Sequence, residues 1–174
     1  PIFIRNGRVP DGAWLNVDAS PLRDETGTLI GGVVVFRDAT AKHREHSRIE
    51  LLSWVVEQTA DMVVVTDRDG LIEYVNAAVE QATGFTASEL MGRTPRAFRS
   101  GAHGNAFYDD LWATLSAGRV YRGTIINRKK NGDVFHSEQT ITPIRDATGS
   151  VAYFVSVGRD MTVRRRAEEL ESGH

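Results

Sequence analysis

The chain holds 174 residues, 41% apolar and 25% charged, which is the balance of a globular protein with room for one well-cored domain and flanking structure. Its 21 basic and 23 acidic residues leave a formal charge of −2, so it carries no electrostatic footprint for nucleic acid or an anionic membrane. No apolar run approaches the roughly 20 residues of a membrane helix, no signal peptide opens the chain, and the absence of cysteine excludes disulfides, thiolate metal sites and cysteine-based photochemistry. These features fit a cytoplasmic protein, and the start on Pro1 reads as a piece of something longer.

Residues 13–23 and 28–37 form two predicted strands around the turn Asp24-Glu25-Thr26-Gly27, with glycine where a positive φ is needed. A helix follows over 40–58, capped by Asp38 or Thr40, with Ile49, Leu52 and Val56 on one stripe. After Asp61 the pattern turns to strand over 62–66, a turn at Asp67-Arg68-Asp69-Gly70, and strand again over 71–75. Short helices are predicted around 76–83 and 87–91, broken by Gly84 and Gly92, and a longer one over 105–117 with Phe107, Leu111 and Leu115 at fourfold spacing. Three strands at 120–129, 133–143 and 151–159 precede a charged helix after Asp160, the first two joined by Lys130-Asn131-Gly132. The class is α+β, with helices over one face of an antiparallel sheet.

The chain also repeats its own ending near its beginning. Pro21-Leu22-Arg23-Asp24-Glu25-Thr26-Gly27 returns as Pro143-Ile144-Arg145-Asp146-Ala147-Thr148-Gly149 at an offset of 122, and Arg37-Asp38-Ala39-Thr40 returns as Arg159-Asp160-Met161-Thr162 at the same offset. Val33 and Val35 likewise match Val155 and Val157.

Several runs together resemble one family. They are Thr66-Asp67-Arg68-Asp69-Gly70, Ile72-Glu73-Tyr74-Val75-Asn76, Thr83-Gly84-Phe85, Glu89-Leu90-Met91-Gly92-Arg93 and Ser100-Gly101-Ala102-His103. Phe107-Tyr108, Leu111-Trp112, Asn127 to Gly132 and Pro143-Ile144-Arg145-Asp146 complete the set. This pattern resembles a PAS domain over residues 50–162, while residues 10–40 resemble only the last strands of one. The resemblance implies a five-stranded antiparallel sheet cupping a pocket, and a sensory role in which a signal passes along flanking helices. It divides the chain into the closing strands of an upstream PAS domain (1–40), a linker helix (41–58), a complete PAS domain (59–162) and the start of an output helix (163–174). A PAS module of this kind is not itself an enzyme; the parent protein would be a histidine kinase, a cyclic-di-GMP enzyme or a transcriptional activator.

The Arg-Asp-x-Thr motif stands twice between a final strand and an outgoing helix, at Asp38/Thr40 and Asp160/Thr162. Aspartate there can cap the helix while its charge meets the helix dipole and the adjacent arginine, and the resemblance implies a relay of sheet movement to the helix. The stripe Ile49, Leu52, Val56 serves either packing on the domain's own sheet or a parallel homodimer through the linker helices. Arg164-Arg165-Arg166, followed by Glu168 and Glu169, reads as a solvated helix face rather than a nucleic-acid or lipid site.

Within the family the closest likeness is to NifL-like flavin-binding PAS domains, and more distantly to light-oxygen-voltage domains. That likeness places Trp112 and Asn127 among the pocket residues and makes FAD a candidate cofactor. An asparagine amide can meet both donor and acceptor edges of a ring, and strand alternation adds Ile125, Phe135, Ser137, Gln139 and Ile141 to the same face. Against flavin stand the missing cysteine after Gly92-Arg93, Gly158 where light-oxygen-voltage domains present glutamine, Pro95 where NifL-like domains carry a carboxylate, and Val64 where they carry a hydroxyl. An empty or small-metabolite pocket is favoured over FAD. His103 lies near the haem-ligand position of haem PAS domains, but it sits in the Ser-Gly-x-His turn of cofactor-free members, which argues for a surface turn or helix cap. No metal-ligand spacing, nucleophile–base pair or phosphate-cradling glycine loop is present.

Two readings of function follow. One is a ligand-sensing input domain; the other is an interaction spacer whose pocket is filled by Trp112, Phe98 and Phe135. The strands of 1–40 are expected to pair with each other and with a second copy.

Overall fold

The structure, a computed structural model, describes residues 1–162. The output helix expected at 163–174, with its arginine run and Glu168 and Glu169, lies outside the described residues. The described residues divide into two compact units, one of Pro1–Trp54 and a second from Val55 onward.

The first unit is a three-stranded antiparallel sheet, in the order β1 (Ile2–Asn6), β2 (Val9–Arg23) and β3 (Leu29–Asp38), from which α1 (Thr40–Gln58) runs out. The strands do pair with each other. Strand β1 escaped sequence analysis because five residues ending Arg5-Asn6 carry too little alternation to be recognised. Asp24 builds the β2–β3 turn by accepting from Thr26 N, Thr26 Oγ1 and Thr28 N, while Gly27 adopts φ +84°. On β3, Val33, Val34, Val35 and Phe36 are all exposed. The predicted bounds of α1 hold, yet none of its residues is buried, and Ile49 and Leu52 stand in solvent.

The second unit holds the five-stranded antiparallel sheet, in the order β5-β4-β8-β7-β6, and is α+β as expected. Its strands are β4 (Met62–Asp67), β5 (Ile72–Val75), β6 (Tyr121–Arg128), β7 (Val134–Arg145) and β8 (Val151–Asp160). Its helices are α2 (Ala77–Thr83), α3 (Ala87–Leu90), a 3-10 turn (Pro95–Phe98) and α4 (Asn105–Ser116). Local chemistry explains the breaks. Asp67 accepts from Asp69 N and Leu71 N in the β4–β5 turn. Asn76 caps α2, whose end is Gly84 at φ +78°. Thr86 and Glu89 form a capping box on α3. Pro95 opens the 3-10 turn, which sequence analysis had not separated from its surroundings.

The core has two parts. Ile72, Val75, Val79, Leu90, Phe98 and Phe135 pack in one cluster, and Leu111, Leu115, Ile125 and Phe154 in the other. The fourfold spacing along α4 therefore buries Leu111 and Leu115.

The repeat extends to individual atoms. At the end of β3, Asp38 Oδ1 accepts from Thr40 N at 2.8 Å, Trp14 N donates to Thr40 Oγ1 and Ala39 N donates to Trp14 O. At the end of β8, Asp160 Oδ1 accepts from Thr162 N at 2.8 Å, His136 N donates to Thr162 Oγ1 and Met161 N donates to His136 O. The turn repeats as well: Asp146 accepts from Thr148 as Asp24 does from Thr26, and Arg145 donates to Gly149 O as Arg23 does to Gly27 O.

Candidate functional site

A cavity of about 350 Å³ lies within the second unit, walled by the inner face of the sheet, by α2 and α4, and by the 3-10 turn. Strand alternation builds its floor: every second residue of a strand faces the same side, which brings Ile125 and Asn127 of β6, Phe135, Gln139 and Ile141 of β7, and Phe154, Ser156 and Gly158 of β8 to one surface. The helical wall carries Val79, Leu111, Trp112 and Leu115. Most of this lining is apolar, with a few polar groups set into it, the usual make-up of a small-molecule site.

Of the residues singled out in the sequence, Trp112, Ile125, Asn127, Gln139 and Ile141 come together on this wall. Asn127 is 8% exposed, and among the described residues nothing hydrogen-bonds its amide. Trp112 packs edge-on against Phe154 with ring centroids 5.5 Å apart and covers Gly70, where an added Cβ would lie 3.1 Å from the indole. Ser137 is placed differently. It is fully buried and does not line the cavity, because its hydroxyl is turned to Gln139, whose Nε2 donates to it at 3.2 Å. Gln139 Oε1 in turn accepts from Ser156 Oγ at 3.2 Å, so three polar side chains of β7 and β8 satisfy one another.

Gly158 faces Gln139 directly across the ladder. A Cβ at Gly158 would fall 2.9 Å from Ser137 Oγ and 3.2 Å from Gln139 Cγ, so the space a longer side chain would need is already taken from β7.

His103 corrects its sequence reading. The N-cap of α4 is Gly104, with no side-chain capping bond, so His103 is not a helix cap. Its Nε2 accepts the backbone N–H of Ile126 at 3.0 Å, and its ring stacks on Phe107 at 3.9 Å. The lone pair a metal would use is thereby engaged, and the ring pins the edge strand β6 rather than facing the cavity. Among the described residues no cluster of metal-ligating side chains occurs.

Two other residues of the wall were missed. Arg99 follows the 3-10 turn, and its backbone forms a bridge with Asn127. Its guanidinium carbon sits 3.6 Å from the centroid of the Tyr108 ring, and both residues line the cavity. The hydroxyl of Tyr108 is buried without a hydrogen-bond partner among the described residues. Position in the sequence marked neither, since arginine and tyrosine on short connecting elements are ordinarily solvated.

At the exit of β8, Asp160 is the hub. Burial raises its carboxyl pKa, but hydrogen bonds from Thr162 and the charge of Lys129, 3.5 Å away, outweigh that and hold it below the ordinary aspartate range. The arginine beside it does not pair with it as the motif suggested. Arg159 instead reaches Asp61 with two bonds, at 2.8 and 3.0 Å, because its side chain leaves the strand on the opposite face. In the first motif Arg37 likewise turns toward Asp18. Thr40 and Thr162 use their hydroxyls to accept from the neighbouring strand, while their own backbone N–H groups donate to Asp38 and Asp160.

A five-stranded antiparallel sheet with short helices over one face thus encloses the cavity. The family model described as the PAS fold matches residues 50–161, and a second, described as a PAS domain, matches residues 3–41. The chain belongs to the PAS family. It is 28% identical over 120 residues to a nitrogen fixation regulatory protein of Klebsiella oxytoca, covering 69% of this chain and 24% of that protein. It is 31% identical over 137 residues to a blue-light-activated histidine kinase of Rhizobium johnstonii, covering 77% and 40%. The chain thus spans less than half the length of these relatives. Among solved structures, an RNA-binding light-oxygen-voltage receptor superposes with a TM-score of 0.66 at 21% identity, over 92% of this chain and 44% of that one. A PAS domain from Colwellia psychrerythraea gives 0.60 at 20% identity, over 66% and 98%. These likenesses support a sensory signalling module. Among the described residues no helix is long and apolar enough to cross a membrane.

The cavity does not match the flavin arrangement that its family suggests. Asn127 is available to a ring, but Val64, Pro95 and Gly158 line the cavity without the groups such an arrangement uses. The close packing of Ser137 and Gln139 against Gly158 also leaves no room for a glutamine there.

Proposed function

We propose that residues 59–162 are a ligand-sensing PAS module, which binds a small molecule in the cavity and passes a conformational change through its flanking helices to an output domain of the same protein. The observation that carries this is Asn127, 8% exposed, whose side chain makes no hydrogen bond among the described residues and opens onto a cavity of about 350 Å³. An interaction spacer would fill that volume with Trp112, Phe98 and Phe135, and here these residues line an open space instead. Occupancy acts by shifting the population of two helix arrangements, and Asp160 and Thr162, which tie β8 to the chain leaving it, are the relay. Asp38 and Thr40 serve the same role for residues 1–40, which are the closing strands of an upstream PAS domain. The module catalyses nothing itself and works in the cytoplasm beside a kinase or cyclic-di-GMP output domain.

The module acts as a homodimer through its linker helices. The support is α1, where Ile49, Leu52 and Trp54 stand exposed on a helix that buries none of its residues. Sedimentation of the wild type and of Leu52→Glu tests this; a dimer unaffected by the substitution removes α1 from the interface. Ligand sensing is tested by denaturing the purified protein and identifying released small molecules by mass spectrometry, together with a visible absorption spectrum. A released compound absent from the cavity-filling variant Ile125→Trp supports the reading. Flavin bands would overturn the argument against flavin, and a folded protein that neither carries nor takes up any compound would leave the spacer reading.

A further inference from the structure

The cavity has one strongly polar corner. We propose that its ligand is a small, largely aromatic molecule bearing a single carboxylate, held at Arg99, Tyr108 and Asn127; this rests on the ligand-sensing reading above. The three residues come from separate elements, yet the backbone bridge between Arg99 and Asn127 sets these two side by side, and the Arg99 guanidinium lies over the Tyr108 ring. All three line the cavity.

What unites them is unused donor capacity. A guanidinium has five N–H donors and no acceptor, a phenol has one donor, and an amide can turn its NH₂ toward an acceptor. Among the described residues Arg99 has no carboxylate within ion-pair distance, the Tyr108 hydroxyl has no partner, and the Asn127 side chain makes no hydrogen bond. Buried polar groups of a native structure are almost always paired, so the buried Tyr108 hydroxyl calls for a partner, and the unpaired donors of Arg99 and Asn127 beside it suit an acceptor. Two oxygens carrying one negative charge meet that demand, since hydrogen bonds from a guanidinium to a carboxylate are both stronger and geometrically matched.

The charge of the ligand follows from the lining. Arg96, Arg99 and Asp69 are its charged members, and Arg96 and Asp69 are exposed, which leaves Arg99 as the one charge drawn into the wall. A single half-buried cation balances a monoanion; a phosphate dianion would bring a second charge into an apolar site with nothing to meet it. The remaining contacts, with Phe135, Phe154, Trp112 and Leu115, suit a flat apolar body.

The test compares 1-naphthoate with its neutral isostere 1-naphthamide by isothermal titration calorimetry on the whole chain. Naphthoate is expected to bind at least about tenfold more tightly. Arg99→Gln should abolish that preference by weakening naphthoate far more than naphthamide, and Tyr108→Phe should weaken naphthoate by about threefold to tenfold. The tyrosine variant keeps the test decisive if the arginine variant does not fold. Equal binding of the two probes, or a preference that survives both substitutions, overturns the carboxylate assignment and leaves the cavity a binding site for neutral molecules. Failure of both probes to bind the folded wild type overturns the aromatic-carboxylate assignment, while the ligand-sensing reading falls only if no released or added compound is found by the experiment above.

Discussion

Glu57 and Tyr74 share a hydrogen bond of 2.7 Å, in which the phenol donates to Glu57 Oε2 while Oε1 accepts the backbone N–H of Ala77 at 2.9 Å. One carboxylate near the end of α1 thus joins β5 to the first turn of α2, where a negative charge also suits the helix dipole. The neighbouring Asn76, buried, strengthens the same junction. Its Nδ2 donates to the carbonyls of Val56 and Asp61, and its Oδ1 accepts from Val63 N at 2.9 Å. Val79 and Thr83 on α2 line the cavity, so this junction connects the end of α1 to the binding wall through a single short helix.

Glu57→Ala leaves a phenol and a backbone N–H without acceptors and is expected to cost about 1–3 kcal/mol. Glu57→Gln should cost less, because the phenol oxygen can accept from the new amide. Urea denaturation of the two variants checks the order; equal losses would show that the carboxylate charge, and not the reach of the side chain, holds the junction.

Tyr74 supplies a pH signature. Burial first, and then the bond to and charge of Glu57, push its pKa up to about 12. The folded state therefore favours the neutral phenol, so this contribution to stability is complete below the ordinary tyrosine value of about 10 and is lost as pH rises through about 12. A spectrophotometric titration of the chain's 4 tyrosines should contain a late step that Tyr74→Phe removes. An unchanged curve in the variant would show the assignment to be misplaced.

The acid limb belongs to Asp160 and its equivalents. Hydrogen bonds and Lys129 lower the Asp160 pKa despite burial, and bonds from Thr40 lower that of Asp38. A depressed carboxylate stabilises the fold above its unfolded value of about 4, and that stabilisation disappears as pH falls through the folded value. Asp160→Asn should therefore flatten the loss of stability below about pH 4. Asp160→Ala should cost about 1 kcal/mol at neutral pH, as loss of a hydrogen bond does, and should speed amide exchange at Thr162. If the alanine variant exchanges like the wild type, Asp160 does not hold the exit of β8.

Gly158→Ala tests the packing under the cavity floor. The new methyl meets Ser137 Oγ and Gln139 Cγ, and overpacking of this kind costs about 1–3 kcal/mol. The melting temperature should fall, and the Gln139 side-chain NMR signals should move; a neutral substitution would mean that β7 and β8 have slack here.

His103→Phe keeps a ring for Phe107 to stack on but removes the acceptor of the Ile126 N–H. The expected cost is about 1 kcal/mol, with faster hydrogen exchange confined to Ile126 and its neighbours on β6. Protection unchanged at Ile126 would show that the edge strand is held by its ladder alone.

Much of the fold was legible because it is written in local patterns. The turns at Asp24, Asp67 and Asp146 follow from an aspartate that satisfies the backbone within four residues, and α4 follows from Leu111 and Leu115 recurring every fourth residue. The 122-residue offset could be read because the same hydrogen bonds must close the same hairpin and the same strand exit in both places. Alternation along β6 and β7 puts Ile125, Asn127, Gln139 and Ile141 on one surface, because successive residues of a strand face opposite sides.

Only the tertiary structure decided which polar groups lack partners. Ser137 and Asn127 both face inward, yet Ser137 meets Gln139, which Ser156 of β8 holds from across the ladder, while no described residue meets the Asn127 side chain; alternation puts all of these on one face but does not say which of them meet. Arg99 and Tyr108 became neighbours through the crossing of a 3-10 turn and a helix, and His103 found the N–H of Ile126 across 23 positions of sequence. Periodicity is a property of neighbouring residues, and it determined the elements; hydrogen-bond partners and charge balance in a cavity depend on distances between elements, which exist only once the chain has packed.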